Sequence, residues 1–246
     1  MTRPEIVVFL LGLSISLAVK LPEEWPHCAP GKGFPECMKR AVETAVKSMG
    51  PAGLPSFGVL PLDPMHFDSL LIDQSTGPVA VKLEFKNLDV TGIKDLVVSH
   101  LEGDWTELHA VAQIPVPVIL YGDYSVQGKV LTLPIMGNGK CNLTFHDFKW
   151  DPIDIKFHQE AKKGKNYIQI KEIDLNPQAS LLEMQFDGLF NGDKLLGDNM
   201  NMFLNENWKE IFSELKVAVS KGFSTAYKNV GNRILSKIPA DVIMAP

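Results

Sequence analysis

From Val79 to about Gly188, apolar residues recur at every second position in run after run, and this stretch of period two constrains the fold more than anything else in the chain. In VAVKLEFK, Val79, Val81, Leu83 and Phe85 share one face, with Lys82, Glu84 and Lys86 on the other. In TELHAVAQIPVPVIL, one face carries Leu108, Ala110, Ala112, Ile114, Val116, Val118 and Leu120. Pro115 and Pro117 within it demand a bulge or an edge position, because proline has no N–H to give a strand ladder. YSVQGKVLTLPI, CNLTFHDFKW, IDIKFHQ, YIQIKEIDL and SLLEMQFDGLF continue the pattern. About seven strands joined by short turns predict an antiparallel meander.

Helical spacing flanks this region. CMKRAVETAV (Cys37 to Val46) has the period of a short amphipathic helix, ended by the Gly and Pro residues of MGPAGLP. From Asn205 to Ile238 the spacing predicts one long helix, in which Trp208, Ile211, Phe212, Leu215, Val219, Phe223, Ala226, Val230 and Ile234 recur at three- and four-residue steps. Asn207 with Glu210 resembles a capping box, and Pro239 ends the run. Val217, Ala218, Gly222, Tyr227 and Leu235 widen the apolar surface beyond one stripe, so this helix wants contact on more than one side, while Lys216, Lys221, Lys228 and Arg233 require a wet flank. The expected fold is therefore α+β, a strongly curved antiparallel β-sheet wrapped around one long C-terminal α-helix. Such a wrap can leave an apolar cavity where helix and sheet side chains fail to meet.

The N-terminus reports the compartment. Arg3 precedes the apolar run IVVFLLGLSISLA, with Ser16 and Ala18 as small residues at a cleavage site, the pattern of a secretory signal peptide over 1–18 and a single domain over 19–246. The run is shorter than the roughly 20 apolar residues of a membrane span, and no stable membrane insertion is expected. Secretion makes Cys28 and Cys37 a disulfide by default, closing a turn-rich loop around Pro30, Gly31, Gly33 and Pro35. Two thiolates without a nearby His or Cys pair do not complete a zinc site, so no metal is expected. Cys141, left over, reads as a buried small hydrophobe.

A net charge of −5 without a basic stripe speaks against a nucleic-acid partner. KKGK (Lys162 to Lys165) reads as a hairpin tip, and GNGK (Gly137 to Lys140) and NGDK (Asn191 to Lys194) as turns. The chain has no G-x-S-x-G elbow, H-E-x-x-H, P-loop or dinucleotide fingerprint, and its six His are scattered, so neither an enzyme nor a cofactor is expected. Asn142-Leu143-Thr144 is a glycosylation sequon read at a strand edge.

The paired cysteines after a signal peptide, GLPSFGVLPLDPMHFDSLLID (Gly53 to Asp73), GDYSVQGKVLTLPIMGNGKC (Gly122 to Cys141) and FDGLFNGDKLLGDNMNMFLNENWKEIF (Phe186 to Phe212) together resemble the takeout and juvenile hormone-binding protein family of insects. The resemblance covers nearly all of the mature chain, with PLDP and LNENW its most specific pieces. It implies a curved antiparallel sheet rolled around the C-terminal helix, enclosing an apolar tunnel, with the staple at Cys28 and Cys37. Hormone-binding members carry a second disulfide, and Cys141 has no fourth cysteine to join. The chain is therefore closer to the takeout branch, and the implied function is secreted, extracellular carriage of an elongated hydrophobic small molecule (a terpenoid, fatty-acid or quinone-like lipid) by a monomer.

Candidate tunnel walls are Phe85, Trp105, Leu108, Phe145, Phe186, Phe212 and Phe223, for each of which plain core packing is an equal alternative. Tyr121 and Tyr124 either present a hydroxyl to a ligand's polar end or sit at the surface. Two other classes stay open: a secreted hydrolase of lipid esters, and a membrane-surface lipid-binding protein, which would want a basic apolar patch.

Overall fold

The computed structural model describes residues 20–162 and 164–245; the signal peptide expected over 1–18 lies outside them. The chain opens with helix α1 (Phe34–Ala52), continues through nine strands and closes with helices α2 (Lys194–Glu206), α3 (Trp208–Leu235) and the short α4 (Ala240–Ile243). The strands are β1 (Met65–Gln74), β2 (Val79–Thr91), β3 (Val97–Gly103), β4 (Glu107–Gln113), β5 (Val118–Val130), β6 (Leu133–His146), β7 (Lys149–Lys162), β8 (Lys165–Gln178) and β9 (Leu181–Phe186).

These strands do not form one meander. They make two antiparallel sheets, one of five strands in the order β1-β2-β5-β6-β9 and one of four in the order β3-β4-β7-β8, so successive hairpins alternate between sheets. The antiparallel wrap around the long C-terminal helix holds, and TELHAVAQIPVPVIL shows why the meander is divided between two sheets. That stretch is two strands, β4 and β5, and the Ile114-Pro115-Val116-Pro117 segment between them carries the chain from one sheet to the other. Two prolines without N–H groups cannot continue a ladder, and the crossing is where none is needed. The alternation survives the crossing: Leu108, Ala110, Ala112, Ile114, Val118 and Leu120 are all buried, and only Val116, in the crossing itself, is exposed.

Both edge strands of the five-stranded sheet, β1 and β9, pack against α3, which requires the sheet to curl around the helix; β8 of the second sheet packs along the same helix. Gly222 and Gly231 let α3 approach closely, since a Cβ at either position would press on Leu70 of β1 or Ile170 of β8.

Helix side chains close the open sheet edges. Asn201 and Asn205, one turn apart on α2, each present an amide to β9. Asn201 Oδ1 accepts from Phe186 N and its Nδ2 donates to Phe186 O, both at 2.9 Å. Asn205 does the same for Met184 at 2.8 and 2.7 Å. Asn232 of α3 pairs likewise with Ile170 on the free edge of β8 at 2.7 and 3.0 Å. On α1, Glu43 accepts from Val98 N of edge strand β3 at 2.7 Å. Edge N–H and C=O groups that would otherwise be buried unpaired or invite another strand are thereby satisfied.

Several local expectations change. α1 is longer than Cys37 to Val46 and runs through Gly50 and Pro51, because a proline in the last turn forfeits only one carbonyl's partner; it stops where Gly53, at φ 64°, packs its Cα against the Val59 carbonyl too closely for any side chain. α2 was not legible as a helix, and its cap is Asp193, whose carboxylate accepts from Leu196 N at 3.0 Å. The capping box at Asn207 is not formed, since the Asn207 amide donates back to Phe203 O of the preceding helix. Val217 faces solvent at 78 % exposure instead of widening the apolar surface of α3. GNGK lies inside β6, not in a turn: its glycines lack side chains because the 187–189 segment crosses directly over them. Lys162 and Lys165 of KKGK pair across the β7–β8 hairpin tip, where Gly164 takes φ 75°.

Candidate functional site

The concave face of the five-stranded sheet and the inward face of α3 do not meet everywhere, and the space between them is an apolar cavity. Its volume is about 100 Å³, small for the span of residues that line it, so it is narrow rather than wide. Along β5 the lining residues run from Val118 to Val130, a length of up to about 40 Å at roughly 3.3 Å per residue. On α3 the wall is the stripe Ile211, Phe212, Leu215, Val219, Phe223 and Tyr227, the helical spacing expected of one face.

One end of the cavity is aliphatic, around Val79, Val81, Val126, Val130 and Ile135; the other is aromatic. There, ring edges meet ring faces in an unbroken chain: Phe212 with Phe145 at 5.6 Å, Phe145 with Phe148 at 5.6 Å, Phe148 with Trp150 at 4.9 Å, and Trp150 with Phe223 at 5.7 Å and Tyr227 at 6.1 Å. Among the described residues no Lys, Arg, His, Asp or Glu lines the cavity, and Tyr227 is the only titratable wall residue. Burial pushes the Tyr227 phenol well above its ordinary pKa, with the Trp150 indole N–H beside it pulling weakly the other way. The hydroxyl therefore stays a neutral donor throughout the physiological range.

Five of the nine candidate residues, Phe85, Phe145, Phe186, Phe212 and Phe223, come together on this wall. Trp105 and Leu108 do not. They belong to a second, smaller core with Cys28, Phe34 and Met38 between α1 and the β3–β4 hairpin, where Trp105 Nε1 donates to Cys28 O at 2.9 Å. Tyr121 points outward at 51 % exposure, with Lys140 over its ring. Tyr124 is buried on the inner face of β5 but does not line the cavity; its hydroxyl donates to Asp187 O at 2.7 Å and its ring packs against Phe186. Phe148, Trp150 and Tyr227 were not among the candidate wall residues, although Tyr227 was already part of the widened apolar surface of the helix, four residues beyond Phe223.

Cys28 and Cys37 are joined in a disulfide, and Cys141 is a buried free thiol. Asn142 sits mid-strand in β6, between Tyr121 of β5 and Gln185 of β9, rather than at a sheet edge; its side chain is exposed on the outer face. Among the described residues no cluster of His, Cys, Asp and Glu is arranged to hold a metal, and no helix is long and apolar enough to cross a membrane.

The family model described as haemolymph juvenile hormone binding protein matches residues 6–245. The circadian clock-controlled protein daywake of Drosophila melanogaster is 20% identical over 252 residues, 94% of this chain and 97% of that protein. Daywake of Drosophila yakuba is 20% identical over 197 residues, 77% of this chain and 76% of its own. Among solved structures, Epiphyas postvittana Takeout 1 superposes with a TM-score of 0.71 at 25% identity, covering 83% of this chain and 93% of that one.

Proposed function

Because the chain belongs to the haemolymph juvenile hormone binding protein family, we propose that it carries an elongated hydrophobic small molecule, of terpenoid, fatty-acid or quinone-like class, in the channel between the curved sheet and α3. The observation that carries this reading is the narrow apolar cavity between the curved sheet and α3, with no charged wall residue among those described. An apolar ligand leaving water for such a space gains about 25 cal/mol per Å² of buried surface, and a preformed wall avoids the cost of ordering side chains at binding. Five phenylalanines of the sequence reading, Phe85, Phe145, Phe186, Phe212 and Phe223, are assigned to ligand contact, together with Trp150 and Tyr227.

The protein does no covalent chemistry on its cargo in this proposal. Hydrolysis of a lipid ester would need a nucleophile, a base and an orienting group around the reacting carbonyl, and the cavity wall offers only the Tyr227 hydroxyl. Secretion as a monomer, after removal of 1–18, completes the reading.

The test is to strip the protein of lipid, titrate terpenoids, fatty acids and quinones, and follow melting temperature and the chemical integrity of each compound. A ligand bound only by the folded state adds about 2.7 kcal/mol at a hundredfold excess over Kd, a readily measured shift. No shift with any class would refute the carrier reading; a ligand returned chemically altered at a catalytic rate would replace it with the hydrolase.

A further inference from the structure

Trp150 carries a buried N–H that lacks a well-formed hydrogen bond among the described residues, with only the Tyr227 hydroxyl near it. The residue is 2 % exposed at the start of β7, and its Nε1 has no hydrogen-bond partner. Among the described residues only two buried side-chain polar atoms are in this position, and the other, Ser224 Oγ, is not on the cavity wall. An indole N–H is a donor only, and one left unpaired in an apolar surrounding is costly. Its neighbour on the wall is Tyr227, whose hydroxyl can donate as well as accept and whose oxygen lies near the indole N–H without the geometry of a full hydrogen bond. In a channel otherwise made of aliphatic and phenyl groups, these two supply the polar contacts, both at the aromatic end.

We infer that Trp150 Nε1–H and the Tyr227 hydroxyl form a polar station in the channel, and that the ligand carries a neutral oxygen acceptor, a ketone, quinone or ester carbonyl, at the end of its apolar body that lies there. This rests on the carrier reading above and sharpens it. Neutrality follows from the wall: with no cation lining the channel, an ionised carboxylate would leave water uncompensated, whereas a carbonyl needs only the donors present. The register sets the direction. Val118 pairs with Phe145, placing that end of β5 beside the Phe145–Phe148–Trp150 cluster, so the ligand's long apolar part extends along β5 toward Val130.

The probes are methyl palmitate, palmitic acid and heptadecane, delivered from cyclodextrin to lipid-stripped protein and read by displacement of a fluorescent lipid reporter. In the native protein, methyl palmitate should bind roughly tenfold or more tightly than heptadecane, because it satisfies a buried donor. It should also bind more tightly than palmitic acid at pH 8. W150F removes the N–H and keeps an aromatic wall; it should weaken both probes through lost contact area and abolish the ester's advantage over heptadecane. Y227F should reduce that advantage partially, and it decides the question if W150F fails to fold and so binds neither probe. If ester and alkane bind alike in the native protein, or if the ester keeps its advantage in both variants, the station is wrong while the carrier reading stands. Palmitic acid binding as tightly as the ester would likewise overturn it, placing the polar head at the channel mouth. If no probe binds the native protein, the carrier reading falls, and the station with it.

Discussion

Phe223 touches Phe67, Trp150 and Tyr227 on one side and the open channel on the other. Truncating a closely packed Phe to Ala costs about 3 to 5 kcal/mol; with one side already facing empty space, F223A should cost about 2 to 3 kcal/mol in a urea midpoint series and weaken lipid binding more than it weakens the fold. Cys141 makes a sharper prediction. Burial pushes its thiol from 9.0 up to about 11, only partly offset by a backbone hydrogen bond with Gly122. At pH 8 iodoacetamide should therefore modify it only in denaturant, as mass spectrometry would show. Its effect on stability has a definite sign. Above about pH 9 the unfolded thiol loses its proton while the folded one keeps it until about 11, so the unfolded state binds fewer protons and stability falls across that window. Replacement by Ala should flatten that alkaline limb. The absence of a partner cysteine was enough to read Cys141 as buried, whereas Tyr121 and Tyr124 show the limit: strand alternation does not put them on one face, and only the structure says which is inside.

At the level of elements, the asparagine pairs on α2 bind helix to sheet. Asn201 is the one buried polar residue among those described, and removing its amide leaves the Phe186 N–H and C=O unpaired. At about 1 to 3 kcal/mol for each buried group so orphaned, N201A should cost about 2 to 4 kcal/mol in chemical denaturation, and N205A less because Asn205 is only part-buried. An equal, small effect from both would show that water replaces the amides. This device also explains why α2 was missed. DNMNMFLNEN is too polar for a hydrophobic-period reading, yet Asn201 and Asn205 are buried or half-buried because they substitute for a missing strand. The strands themselves were legible in their alternation, but β1 and β3, whose faces alternate less cleanly, were not identified as strands.

Across the whole molecule, the two cores divide the work. The disulfide, α1 and the β3–β4 hairpin enclose the smaller one, and the curved sheet with α3 encloses the channel. Reducing the Cys28–Cys37 bond, which closes a loop of about ten residues, should lower stability by about 2 to 3 kcal/mol on the chain-entropy account. Reporter-lipid affinity per folded molecule should stay within about twofold, because neither cysteine lines the channel. The sequence by itself determined what depends on local period and chemistry: alternating strands, a long amphipathic helix ending before Pro239, a short-range disulfide, and a set of phenylalanines placed inward by their position on strand or helix. Only the tertiary structure decided that hairpins alternate between two sheets, that Trp105 and Leu108 serve the other core, and that Trp150 and Tyr227 meet. Pairing partners and facing side chains are set by contacts between residues far apart in the chain. Hydrophobic period says that a face is buried, and carries no information about what it is buried against or whether the facing surfaces fill the space between them.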